Sequence, residues 1–288
     1  MSNSVPLSST SRTDENSTDQ NATSHAAPAV AAPKFTEERV VHIHHWNDGL
    51  MSLRVHRDAA YGFVPGQFAR IGLKKEDGDD IWRAYSIVSA PHEAFLEFFL
   101  VIVPTGEFSS RVAKLKLGDT MFVEKQSQGF LTADRFKDGR DLWLIATGTG
   151  LAPYISMVRD HVLWQQFENI VIVLSVRERS DLGYTEELKF LADNSPRPGS
   201  AKLQFVTTLT RDKPEAQADG ALGGRINALI ESGELERAAS LPLSDEHSRF
   251  MLCGNPDMVE GMRALLKSRG FRMNRKLEPG HIIVENYW

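Results

Sequence analysis

The chain changes its rhythm once, and that change bounds the fold more tightly than any single motif. Between residues 35 and 125, short β-prone runs are cut by turn residues: 40–45, 50–56, 67–73, 82–89, 96–103 and 120–124. Met51, Leu53 and Val55 recur at every second position, the period of a half-buried strand. Asn47-Asp48-Gly49, Pro65-Gly66 and Lys116-Leu117-Gly118-Asp119 supply turns, glycine taking positive φ and proline presetting the first turn angle. Short strands at this spacing predict an antiparallel barrel or sandwich, with one helix over 108–115 opened by Ser109 or Ser110. From Asp141 onward, apolar strands alternate with helices: strands at 142–146, 170–176, 203–208, 250–253 and 281–287, helices at 152–166, 184–193, 225–231 and 256–269. That alternation predicts a parallel, doubly wound α/β sheet.

Two domains follow, at 35–136 and 137–288, behind a polar stretch, 1–34, read as a disordered tail. Asp14, Glu15 and Asp19 oppose a transit peptide. With 41% hydrophobic and 25% charged residues, each half has enough apolar side chains for a core. Cys253 is the single cysteine, so the chain makes no intrachain disulfide and no cysteine-built zinc or iron–sulfur site. A net charge of −5 argues against nucleic acid. With no apolar run of about 18 residues and no signal peptide, a cytoplasmic protein without a membrane span is expected.

On a strand, Arg83 and Tyr85 share a face, while Ser86 opposes them or marks a bulge. An arginine for a pyrophosphate, an aromatic ring against a flat heterocycle and a hydroxyl at its edge suit a flavin. A solvated strand face is the plain alternative. Downstream, Gly106-Glu107-Phe108-Ser109 enters a helix and offers N–H groups and the Ser109 hydroxyl to the other phosphate. Gly148-Thr149-Gly150-Leu151-Ala152-Pro153 lets a second pyrophosphate approach, although Pro153 departs from the usual G-x-G-x-x-G. Arg177, Arg211 and Arg225 fall on one expected rim of the sheet and suit a dianionic 2′-phosphate, hence NADP rather than NAD.

Cys253-Gly254-Asn255-Pro256 ends a strand and starts a helix, with Asn255 as cap and Pro256 at the first position. Cys253 reads as a compact side chain against a nicotinamide, or as an ordinary buried one. Glu285 is placed to exchange protons near a reacting ring. Tyr287 and Trp288 need a surface to cover, a flavin or adenine ring or the core itself. Lys267, Arg269, Arg272, Arg275 and Lys276 form a basic stretch, either for docking an acidic partner or as a solvated helix end. His42, His44, His45 and His56 lack the spacing of a metal site.

The set Arg83-Ala84-Tyr85-Ser86, Gly106 to Ser109, Gly148 to Pro153, Arg177, Thr210-Arg211, Gly224-Arg225-Ile226, Cys253 to Pro256 and Glu285-Asn286-Tyr287-Trp288 resembles bacterial ferredoxin–NADP reductase, also called flavodoxin reductase. The resemblance covers nearly everything after the tail. It implies an FAD-binding antiparallel β-barrel followed by an NADP-binding α/β domain whose last strand returns to the flavin. Arg83, Ala84, Tyr85 and Ser86 would hold the flavin, with the backbone of Phe99, Leu100, Val101 and Ile102, then Glu107, Phe108 and Ser109, along the rest of FAD. Thr149 would lie near the ring, and Tyr287 and Trp288 would cover the cofactor. Gly148, Gly150, Arg177, Arg211, Arg225, Cys253, Gly254 and Asn255 would hold NADP(H), with Ser86, Cys253 and Glu285 at the reacting centre. A monomer exchanging electrons between NADPH and ferredoxin or flavodoxin is the expected enzyme. The alternatives are an oxygenase reductase component, a flavohaemoglobin-like domain or a non-catalytic NADP sensor of the same fold.

Overall fold

The computed structural model describes residues 33–75, 78–194, 199–211 and 220–286. Of the expected tail, all but Pro33 and Lys34 lies outside the described residues, and so do Tyr287 and Trp288. Six strands make one antiparallel sheet in the order β4-β3-β6-β1-β2-β5: β1 (Phe35–Asn47), β2 (Leu50–His56), β3 (Phe68–Leu73), β4 (Ile81–Ser86), β5 (Phe95–Val101) and β6 (Thr120–Glu124). β1 begins earlier than its apolar pattern indicates. Its first residues pair with β6, and a register shift between Val40 and His42 hands the remainder to β2, so one strand serves two neighbours.

The end strands β4 and β5 meet through a bridge between Ile87 and Phe98, with Val88 N–H donating to the Glu97 carbonyl at 2.8 Å. Among the described residues the sheet therefore closes into a barrel at that point only, around Met51, Leu53, Val55, Ile71, Phe98 and Leu100. Apart from Glu97 and Phe98, the facing edges of β4 and β5 have no strand partner among the described residues. The helix expected over 108–115 is a single turn, α1 (Ser109–Val112), and Ser109 does not cap it.

The second half is a parallel sheet in the order β10-β9-β8-β7-β11-β12, built from β7 (Asp141–Thr147), β8 (Asn169–Val176), β9 (Lys202–Leu209), β10 (Leu222–Gly223), β11 (Ser248–Gly254) and β12 (Ile282–Asn286). Strand alternation assigns its two faces. Leu142, Leu144 and Ala146 pack with α2 (Ala152–Arg159), α3 (Leu163–Gln166) and α4 (Thr185–Asp193). Trp143 and Ile145 pack on the other side with α5 (Ile226–Glu231), α6 (Glu234–Ala239) and α7 (Pro256–Ser268). The first of these clusters runs on into the barrel through Leu50, Val88 and Phe99.

Where one helix was expected over 152–166, the chain breaks after Arg159. The Trp164 indole donates to the Val158 carbonyl at 2.8 Å, taking an acceptor that a continuing helix would need. Among the described residues no helix is long and apolar enough to cross a membrane.

Candidate active site

The unpaired edges of β4 and β5 frame the first part of the site. Tyr85 is half-buried, its ring stacked on Phe108 with centroids 5.8 Å apart. Burial pushes its hydroxyl pKa up, with the Arg83 charge opposing. Arg83 is exposed and donates to its neighbour's carbonyl, Trp82, at 2.7 Å. Phe99 and Leu100 turn their side chains into cores, so what they offer across the gap is backbone, while Val101 and Ile102 stand at its rim. Lys75 pairs with the exposed Glu107 at 2.9 Å. Its hydrogen bond and charge, joined by Arg111 and Arg83, hold the Glu107 carboxyl below the usual range, so the turn sits in a basic neighbourhood. The Ser109 hydroxyl is turned inward, accepting from Val103 N–H at 3.0 Å and donating to the Val103 carbonyl at 3.2 Å. A phosphate at this turn would meet backbone N–H groups, not that hydroxyl.

Across the junction, β12 brings the Glu285 carboxyl beside Ser86, whose hydroxyl favours its charged form. Burial raises the Glu285 carboxyl to about 7, while Ser86 works the other way. One of its oxygens, Oε1, is buried with no hydrogen-bond partner among the described residues. A Cβ added to Gly129 would lie 3.2 Å from the other, Oε2. Gly129 carries φ +109, a signal that the Ser-Gln-Gly turn has a special conformation but not that it abuts an acid 156 positions later. Strand register sets Cys253 level with Glu285 on one side and Ala146 on the other. Cys253 is fully buried.

The glycine turns at the ends of β7 and β11 lock together. A Cβ on Gly150 would stand 2.5 Å from the Cys253 carbonyl oxygen, and Gly254, at φ +127, is pressed against Thr147. The Thr147 hydroxyl accepts from Asn255 N–H at 2.7 Å. Thr147 was not singled out from the sequence, because a threonine at a strand end is ordinary there. Asn255 caps α7 as expected, accepting from Asp257 and Met258 N–H at 2.9 and 3.3 Å. Gly148 and Thr149 form a single 3₁₀ turn leading into α2.

On the neighbouring strand ends, Arg211 N–H donates to the Arg177 carbonyl at 2.9 Å. Gly224 N–H donates to Leu209, and the Thr208 hydroxyl to the Gly224 carbonyl at 2.7 Å, which fixes the start of the helix after Arg225. Arg177, Arg211 and Arg225 are all exposed. In the expected basic stretch, by contrast, Arg269 is tied to Glu236 and Ile230, and Arg275 to Glu278. His56 bonds to Glu38 at 2.9 Å.

This arrangement can hold a flat ring between a tyrosine face and a half-buried acid, with anion-binding backbone at both ends. Residues 40–129 match the oxidoreductase FAD-binding domain family, and residues 144–264 the oxidoreductase NAD-binding domain family. The chain is 40% identical to ferredoxin–NADP reductase A of Sorangium cellulosum, across 87% of its own length and 89% of the relative's. It is likewise 40% identical to flavodoxin/ferredoxin–NADP reductase of Escherichia coli, across 87% and 97%. The crystal structure of a ferredoxin NADP+ reductase from Neisseria gonorrhoeae with bound FAD and NADP superposes with a TM-score of 0.82 at 36% identity, over 88% of this chain and 99% of that one.

Proposed function

The chain belongs to the ferredoxin/flavodoxin–NADP+ reductase family, and from that membership we propose that it passes electrons between NADPH and a one-electron carrier, a ferredoxin or flavodoxin, by way of FAD. The observation that carries the reading is the meeting of Ser86, from the barrel, with the half-buried Glu285, from the sheet, beside an unpaired strand gap. FAD, when bound, supplies the ability to take electrons from NADPH in pairs and release them singly.

The residues do the positioning. Tyr85 covers one ring face, and the unpaired backbone of β4 and β5 offers hydrogen bonds along the cofactor. Arg83 and the turn at 106–109 answer its phosphates, Ser109 through its N–H. Gly148, Thr149, Gly150, Gly254 and Asn255 line the route for the nicotinamide half, with Cys253 closing the pocket by its bulk. Arg177, Arg211 and Arg225 take the 2′-phosphate. Glu285, with a pKa of about 7, holds or gives up a proton in the physiological range. Residues 35–136 serve as the FAD-binding domain and 137–288 as the NADP-binding domain, in a cytoplasmic monomer.

The test is optical. Purified protein should be yellow with FAD, bleach anaerobically on NADPH addition, and recover its colour when oxidised ferredoxin or flavodoxin is supplied. A protein that stays colourless after incubation with FAD would overturn the reading. Bleaching with no recovery in either carrier would remove the assigned partners.

A further inference from the structure

Between β8 and α4, residues 177–184 leave the parallel sheet and fasten onto the barrel along their length. The Asn47 amide, at the end of β1, donates to the Ser180 carbonyl at 2.7 Å and reaches Asp181 Oδ1 at 3.5 Å. Gly183 lies against Phe99, so closely that a Cβ there would sit 2.7 Å from the ring. Tyr184 goes deepest. Its ring meets Phe99 edge-on at 5.1 Å and Trp46 at 4.8 Å. Its hydroxyl donates to the buried Glu97 carboxylate at 2.9 Å and lies 2.6 Å from the Ser52 hydroxyl. Since the tyrosine proton goes to Glu97, Ser52 donates to Tyr184, and the Trp46 indole donates to Ser52 at 2.8 Å. The result is a one-directional relay from Trp46 to Ser52 to Tyr184 to Glu97, each bond polarising the next.

The backbone testifies to the same constraint. Tyr184 holds φ 57 and ψ 14, the left-handed region that a bulky side chain occupies only when its surroundings impose it. Between the two ends of the segment, Glu178 and Asp181 close a reciprocal capping box that stiffens the connection. At its start stands Arg177, whose carbonyl also takes the Arg211 N–H. One stiff piece of chain therefore carries an exposed arginine at one end and a buried barrel anchor at the other.

We propose that Tyr184, clamped by Ser52 and Glu97 of the barrel, is a positioning residue that aims Arg177 at the 2′-phosphate, so that discrimination between NADPH and NADH depends on a contact in the other domain. The proposal rests on the reading of Arg177 as a 2′-phosphate ligand. Phe99 links this anchor to β5, so the segment that receives the phosphate also braces the strand placed along FAD.

The experiment uses the FAD-loaded protein and two readouts, the calorimetric Kd for adenosine 2′,5′-bisphosphate and the NADPH-to-NADH ratio of kcat/KM. Tyr184→Phe keeps the ring and deletes the relay. It should weaken the bisphosphate about fivefold and lower the ratio by a similar factor, the worth of roughly one hydrogen bond. In an Arg177→Ala background the same change should add nothing, because the residue it acts through is gone. Asn47→Ala, at the half-buried end of β1, should act in the same direction more weakly and serves if Tyr184→Phe folds poorly. An unchanged Kd and ratio in both variants, or a full additive effect on top of Arg177→Ala, would overturn the proposal. A loss that strikes NADPH and NADH equally would mark a merely structural residue and overturn it too. If Arg177→Ala itself left the bisphosphate Kd untouched, the phosphate reading would fall first and this proposal with it.

Discussion

Glu285 shows how one side chain ties fold to chemistry. Its carboxyl titrates near 7 in the folded protein against 4.5 for a solvated glutamate, because burial penalises the charge more than Ser86 relieves it. Between those values the native state binds more protons than the unfolded one. Stability is therefore fully present below about 4.5, declines as pH rises, and has lost its share above about 7, a difference of order 3 kcal/mol. Glu285→Gln removes the titration. With FAD in fixed excess, urea midpoints of variant and wild type should converge near pH 4, while at pH 8 the variant should be more stable by up to about 3 kcal/mol. Identical midpoints at pH 8 would mean that the carboxyl is solvated after all. The strain at Glu285 marks a site kept for function at the expense of stability, which suits a residue at the meeting point of barrel and sheet.

The turns after β7 and β11 act as one element, since neither has room without the other being glycine-built. Adding a methyl at Gly150 drives it into the Cys253 backbone, which cannot swing aside as a flexible side chain would. Gly150→Ala should cost about 2 kcal/mol and weaken NADP+ binding roughly tenfold, with FAD retained. Gly148 makes the internal control, having open space and φ +52, so Gly148→Ala should carry only a backbone penalty near 1 kcal/mol. Equal damage from both, by thermal melting and NADP+ titration, would show that crowding is not what matters. Much at this scale was legible in the letters. Asn255-Pro256 announced α7, alternation at Met51, Leu53 and Val55 marked β2, and strands with intervening helices indicated the parallel sheet. What escaped reading depended on distant partners. The break after Arg159 comes from an indole reaching back to a carbonyl, and the early start of β1 from β6, which lies some eighty positions away. Ser109 looked like a cap and a phosphate ligand, yet its hydroxyl serves the Val103 backbone. Arg177, Arg211 and Arg225 were placed from strand ends alone, a rule of topology that local pattern suffices to apply.

At the scale of the molecule, the question is why barrel and sheet behave as one body. The described residues from 34 to 286 form a single compact unit, and the core cluster under α2 continues into Leu50, Val88 and Phe99 of the barrel. The polar centre of this seam is Arg159, which bonds Glu97 of β5 at 2.7 Å and takes both oxygens of Glu187 of α4 at 2.6 and 2.9 Å. Burial works against its charge, and the bonds and negative charges of Glu187 and Glu97 outweigh it, so its pKa lies above the ordinary value. None of this is visible in sequence, because Arg159 and Glu97 are 62 positions apart and each alone reads as a surface charge. Arg159→Met leaves Glu97 buried with, among the described residues, only Arg54, 3.3 Å away, to balance it, and should cost about 3 kcal/mol. Adding Glu97→Gln removes the stranded charge while keeping an acceptor for Tyr184, and should restore at least about 1 kcal/mol. The seam is then an apolar contact without its clamp, and cooperativity is what suffers. Wild type should lose flavin signal and far-ultraviolet ellipticity at one urea concentration, whereas Arg159→Met should release the flavin before the helices of the sheet melt. Coincident transitions in the variant would show that the apolar continuity through Leu50, Val88 and Phe99 is enough by itself, and would reduce Arg159 to an ornament of the interface.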